Sequence, residues 1–259
     1  YAVLRVTTIG LAAAPFTADL LQPWLTWLAL GTIALGCVGM FAATTFGLLI
    51  ANLVIISGGT LLLAVAEPTV TSIAAALYYL VQTTLVTGAL FLIADALSRQ
   101  RGDVADRFTD GPRLQSFTAI GLIYLVIGVA ACGAPPLSGF LGKIMVMQAM
   151  SGSTHPVLVW TALIVSGFAA ALVLARAASV FFWEPGAPGF ADRPDLPYVP
   201  ARGLSLALVV MFCAVVAVSF AAAPVSSYAR ATAEQILARE AYVPAVLGDP
   251  AAVQRERRP

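Results

Sequence analysis

Apolar runs at about 25–43, 49–66, 71–97, 117–150, 157–183 and 204–223 dominate this chain. Most reach or exceed the roughly 20 residues that an α-helix needs to cross about 30 Å of hydrocarbon. None alternates apolar and polar residues over ten positions, as a membrane-crossing strand would. The runs therefore dictate an all-α integral membrane protein of about six full spans. The charge inventory agrees, because only 14 basic and 13 acidic side chains serve 259 residues, too few to coat a water-soluble surface. With 60% hydrophobic residues, apolar side chains must face lipid. A net charge of +1 gives no basic footprint for nucleic acid.

The boundaries follow from composition. Residues 1–14 are apolar but too short to span, and they lack the basic flank of a signal peptide. They read as the end of a helix whose start precedes Tyr1. Trp24 and Trp27 open one run, and Trp160 and Trp183 bracket another, as aromatic belts do at the two interfaces. The run 117–150 is anomalous. Its length as straight helix is about 51 Å at 1.5 Å per residue, and Gly133-Ala134-Pro135-Pro136 interrupts it. Two short crossings would place the arginines of the loop 98–116 and of the tail after 224 on one side. Against that, the piece after Pro136 is only about 21 Å long, and irregular backbone is tolerated at membrane depth where protein encloses it. A single broken span is the preferred reading. The proline-rich connection 184–203 is an extended loop. Residues 226–241 suit an interfacial helix with an Arg230–Glu234 pair, and 255–259 a frayed tail. A membrane domain over 1–223 and an interfacial helix with a flexible tail over 224–259 result.

Few residues can carry chemistry. Lys143 is the only lysine and falls in the middle of the helical piece after the prolines. A charge at bilayer depth costs about 2.5–3.5 kcal/mol on insertion scales, so it needs a reason. One reason is a proton or cation site; the other is snorkelling of the ammonium to the interface. On the run 71–97, Tyr79, Gln82, Thr83 and Thr87 share one polar face at about 100° per residue. That face suits either a chain of ordered waters leading to Lys143 or hydrogen bonding between helices. Asp95 with Arg99 at i+4 reads as a helix-end ion pair or as an entry carboxylate, and Arg176 as snorkelling toward headgroups. Asn52, Ser57, Gly58, Gly59 and Thr60 suit close helix packing or a water path. Cys37, Cys132 and Cys213 are far apart and read as buried core residues. With His155 the only histidine, no histidine-based metal site is expected, and no cofactor is expected.

The stretch from Gly133 through Pro135, Pro136, Gly139 and Phe140 to Lys143 has the pattern Gly-x-Pro-Pro-x-x-Gly-Phe-x-x-Lys. This resembles the broken late helix of the large antiporter-like subunits shared by respiratory complex I and the multisubunit Mrp cation/proton antiporters. The stretches Tyr1–Val6, Tyr78–Asp95, Ser98–Gly102 and Ala175–Trp183 are similar to the D-type subunits of the Mrp antiporters. The resemblance covers essentially the whole chain, as the C-terminal half of a subunit roughly twice as long. It implies two inverted repeats, of which the second is present, with the helix break at Pro135, Pro136 and Gly139. It also implies Lys143 as the ionisable centre of a hydrated proton half-channel, a pathway flanked by Tyr79, Gln82, Thr83, Thr87 and Asp95. The expected setting is the bacterial plasma membrane, among the other subunits of a multisubunit antiporter, with protons and Na+ or K+ as cargo.

Two departures from that family stand out. Gln82, Thr83 and Thr87 hold the places where relatives commonly carry a histidine, so a relay there would run on hydrogen-bonded water. The basic pair that relatives often show before position 49 is replaced by Thr44-Thr45-Phe46-Gly47-Leu48. Two rivals remain. One is a proton-translocating subunit of a complex I-like oxidoreductase or membrane-bound hydrogenase, and the other is a non-transporting scaffold.

Overall fold

In the computed structural model the described residues are 2–5, 15–109, 114, 117–183 and 202–238. Most of the stub before 15, the proline-rich connection up to 201 and the tail from 239 lie outside them, including the arginine-rich end. Every extended element among the described residues is helical, and a lone antiparallel bridge joins Thr45 to Arg107. In chain order these are α1 (Ala2–Arg5), α2 (Pro15–Phe41), α3 (Phe46–Ala66), α4 (Val70–Arg101), α5 (Phe117–Cys132), α6 (Ser138–Ala149), α7 (Pro156–Ala178), α8 (Arg202–Phe220) and α9 (Ala222–Leu237).

Four described segments are long and apolar enough to cross a membrane: Pro23–Phe41, Phe46–Ala66, Val70–Val104 and Pro156–Phe182. The six crossings read from composition are thus not all met by single helices. Helices α5 and α6, with 16 and 12 residues, are each short of a span. Leu206–Phe220 and Ala222–Leu237 qualify only as a pair bent by 79°.

The starts of α3 and α4 are capped by the residue types that do this best. Thr45 accepts from the Leu48 amide at 3.2 Å, and Thr69 from the Ser72 amide at 3.1 Å. Asp106 adds a second acceptor for α3, taking the Gly47 amide at 2.7 Å. Its loop is itself gathered by Arg101, which is 4% exposed. The guanidinium donates to the carbonyls of Ala105, Arg107 and Thr109 and lies 5.0 Å from the Phe181 ring. Arg101, counted above with the loop 98–116, is thus the buried centre of a clasp that joins the end of α4, the loop that caps α3 and the turn just after α7.

The core runs through the middle of the bundle. Phe46, Leu49, Ile50, Leu63, Leu90, Ile93, Leu97 and Ile127 are fully buried within it. Trp24, Trp27 and Trp160 point outward, as belt residues do. The Trp183 side chain lies outside the described set. Of the cysteines, Cys37 and Cys132 pack against the core and only Cys213 departs from expectation. Cys37 and Cys132 are half-buried and Cys213 is exposed, because α8 turns that face away from the bundle.

Two interruptions shape the fold. At the first, Gly133 has φ +75°, a left-handed conformation that glycine adopts without a Cβ clash. The Ala134 amide reaches back to the Val129 carbonyl at 3.1 Å, the bonding that ends a helix in a Schellman motif. Pro135 and Pro136 then prevent resumption until Ser138. At the second, Pro224 has no amide to give to the Phe220 carbonyl but is tolerated in a first helical turn. So α8 stops at Phe220 and α9 begins at Ala222, four residues before the expected start of an interfacial helix. Its end at Leu237 precedes the expected 241, and 239–241 lie outside the described residues. Helix α9 lies along the first part of α4, with Ile73, Ala74 and Ala233 buried between them, while Arg230 and Glu234 remain exposed.

Candidate functional site

The last carbonyls of α5 are left without the usual backbone partners of a helix interior, and they end inside the bundle. Three of the four receive donors from different directions. Ala134 serves Val129 from the linker. Gln82 Nε2, from α4, donates to the Ala130 carbonyl at 3.2 Å. Lys143 Nζ, from α6, donates to the Cys132 carbonyl at 2.9 Å. The ammonium therefore turns inward to the broken end instead of snorkelling outward. There it meets the negative pole of α5, equivalent to roughly half an elementary charge.

Absent side chains make that path. A methyl group on Gly133 would sit 2.7 Å from Lys143 Cδ, and one on Gly167 would sit 2.9 Å from both Lys143 Nζ and the Cys132 carbonyl oxygen. Gly139 is tighter still, since any Cβ there would overlap the Ala130 carbonyl oxygen and approach Gln82 Nε2. Gly139 is thus where α6 crosses the end of α5 in backbone contact.

The polar face of α4 meets the lysine across a small cavity. Its walls include Tyr79, Gln82, Thr83 and Thr87 of α4, together with Ser57, Lys143 and Ser166. Tyr79 and Gln82 are buried, and the two threonines are half-buried. Thr83 donates to Ser57 Oγ at 2.8 Å, and Tyr79 Oη approaches the same oxygen at 3.4 Å. Thr87 donates to the Thr83 carbonyl at 2.7 Å. The space is about 20 Å³, enough for about one water. With one ammonium hydrogen committed to Cys132, two further donors remain on Lys143, which lines that space.

Asp95 stands apart from this group. It forms a two-pronged pair with Arg99, at 2.9 and 3.1 Å from the guanidinium Nε, and both side chains are about half exposed. The small polar set of α3 divides. Ser57 joins the α4 hydroxyls, Thr60 bonds its own helix at the Ile56 carbonyl, and Gly59 packs on Ala29 and Ile33. Composition did not single out Ser166 or Gly167, since a serine and a glycine within an apolar helix carry no mark of the neighbour they face. Among the described residues, no group of His, Cys, Asp and Glu is placed to hold a metal ion.

Similarities to known proteins run along the chain. The family model described as "NADH:quinone oxidoreductase/Mrp antiporter, TM" matches residues 1–173. The D component of a probable K(+)/H(+) antiporter of Rhizobium meliloti is 29% identical over 281 residues, taking in 97% of this chain and 51% of that protein. The D component of the Na(+)/H(+) antiporter of Bacillus subtilis is 30% identical over 251 residues, with 95% and 48% covered. The chain spans about half the length of the curated relatives it matches. Among solved structures, the Mrp complex from Dietzia sp. has the same fold, at a TM-score of 0.73 with 16% identity over 96% of this chain and 52% of that one. Respiratory complex I from Thermus thermophilus gives 0.69 at 26% identity, over 91% and 49%.

Proposed function

The chain belongs to the NADH:quinone oxidoreductase/Mrp antiporter family of membrane subunits, and from that premise we propose that it serves a monovalent cation/proton antiporter of the bacterial plasma membrane. Its part is in transport and not in catalysis. It works as part of a subunit roughly twice its length, beside the other subunits of a multisubunit complex. Lys143 gains and loses the transported proton, and the Tyr79, Gln82, Thr83 and Thr87 face of α4 forms the wall across which water carries it. Na+ or K+ is the counter-ion, as the names of the Rhizobium and Bacillus relatives state for those proteins.

One observation supports this reading above the others: the only lysine is drawn inward to the broken end of α5 and lines a water-sized space that the α4 hydroxyls and Gln82 share with apolar side chains. A purely structural lysine would gain more from reaching the interface, given the cost of charge at depth. Asp95 belongs to the path only as an outer residue, about 12 Å beyond Thr87 along α4 at 1.5 Å per residue.

The test is Lys143→Ala in the full-length subunit within the assembled complex. Proton-coupled Na+ and K+ exchange in everted vesicles is expected to vanish while the complex still assembles. Unchanged exchange in an intact complex would sink the proposal. The likeness to the Thermus complex at 26% identity favours a second reading, in which quinone reduction powers proton translocation through this chain. Vesicle acidification driven by a cation gradient without any electron donor separates the two.

A further inference from the structure

The half-helix that carries Lys143 begins inside the protein without a cap of its own. Leu137, at the N-cap position of α6, has no side-chain oxygen to offer. Ser138 follows, but its hydroxyl is fully buried with no hydrogen-bond partner among the described residues. The Phe140 amide turns back to the Leu137 carbonyl at 3.1 Å. The Ser138 amide is answered from elsewhere: Ser219 Oγ, on the last turn of α8, accepts it at 3.0 Å. The same Ser219 hydroxyl donates to the Val215 carbonyl at 3.0 Å, which aims its lone pairs away from α8 and toward α6.

We infer that Ser219 is a positioning residue for Lys143, capping the start of α6 in trans from α8 and so fixing where the lysine stands relative to the end of α5. The inference rests on the proposed role of Lys143. Three features make the contact more than ordinary packing. First, an amide at membrane depth must find a partner in protein, because lipid offers none. Second, α6 has only 12 residues, and Lys143 lies five residues from the capped amide, about 7.5 Å along the axis, so a shift at the cap carries directly to the lysine. Third, Ser219 stands two residues before the 79° bend into α9. The position of the cap is thereby tied to α9, which lies along the first part of α4, while the polar face of α4 lines the lysine cavity from the other side.

The experiment uses the full-length subunit in the assembled antiporter complex, with Ser219→Ala, Ser219→Thr and Lys143→Ala. Threonine keeps a hydroxyl that can bond the carbonyl four residues back in a helix, so it should retain the cap. Hydrogen exchange of the amides at 138–141 reads the cap itself. Ser219→Ala is expected to accelerate it about five-fold, the ratio matching a typical N-cap loss, with Ser219→Thr near the parent. Exchange transport, followed against pH, reads the positioning. Ser219→Ala should lower the rate several-fold and displace the pH profile, and Ser219→Thr should restore both. Unaltered amide exchange in Ser219→Ala overturns the trans cap. Accelerated amide exchange with an unmoved pH profile overturns the positioning role. Intact transport in Lys143→Ala fells the wider proposal instead, and the amide readout keeps that failure separate.

Discussion

Two interruptions of the helical ladder, one at 133–137 and the other at 221, begin from the same chemistry and end in opposite environments. Each is set by proline, Pro135 and Pro136 within the first and Pro224 in the first turn of the helix that follows the second. At the first, the freed carbonyls lie inside the bundle and are met by the linker, by Gln82 and by Lys143. At the second, the chain bends by 79° at a half-buried Ala221, and the helix that follows presents Tyr228, Arg230 and Glu234 to the outside. A break in a membrane helix is therefore not in itself a functional mark. What distinguishes the first is that its loose backbone ends are completed by side chains from other helices, one of them ionisable.

Substitutions should separate the two breaks by size of effect. The largest is expected at Gly139→Ala, where the new methyl overlaps a backbone oxygen that cannot swing away. A loss on the order of 3 kcal/mol should appear as greatly reduced recovery of assembled complex from membranes. Next is Gln82→Ala, which strands the Ala130 carbonyl. About 2 kcal/mol should be lost in thermal unfolding of the solubilised complex, and a value near zero would mean that the contact adds nothing to the break. Gly133→Ala forces a side chain into the left-handed region, at about 1–2 kcal/mol, and crowds the Lys143 stem. Its transport rate should fall by more than its assembly. At the second break, Arg230→Ala removes an exposed i, i+4 pair and should change stability by less than about 0.5 kcal/mol. An effect there as large as at Gln82 would erase the distinction between the breaks.

Lys143 and the break could be found in the sequence because each violates a strong local expectation: charge against hydrocarbon, and proline against helix. The polar face of α4 was likewise visible in the period of its residues. What completes the site was not. Gln82 reaches a carbonyl 48 residues away, and Ser219 an amide 81 residues away. No pattern within either helix records which neighbour it faces. Ser166 and Gly167 matter through the space they leave or line. The arginine clasp is hidden for a related reason, since composition counts charges but does not say that Arg101 folds back over its own loop. The start of α9 at Ala222 is hard to see in the sequence because apolarity fades gradually there, whereas Pro224 stops the backbone ladder abruptly.

Gln82, which donates to the end of α5, and Ser219, which accepts from the start of α6, also differ in when the ribosome makes them. A chain synthesised from its N-terminus has Gln82 in the membrane before Ala130 exists, so the end of α5 can be completed as it emerges. The start of α6 has to wait for Ser219, made 81 residues later. Between those moments the lysine-bearing segment is present without that partner, and α8 supplies the hydroxyl that accepts the Ser138 amide.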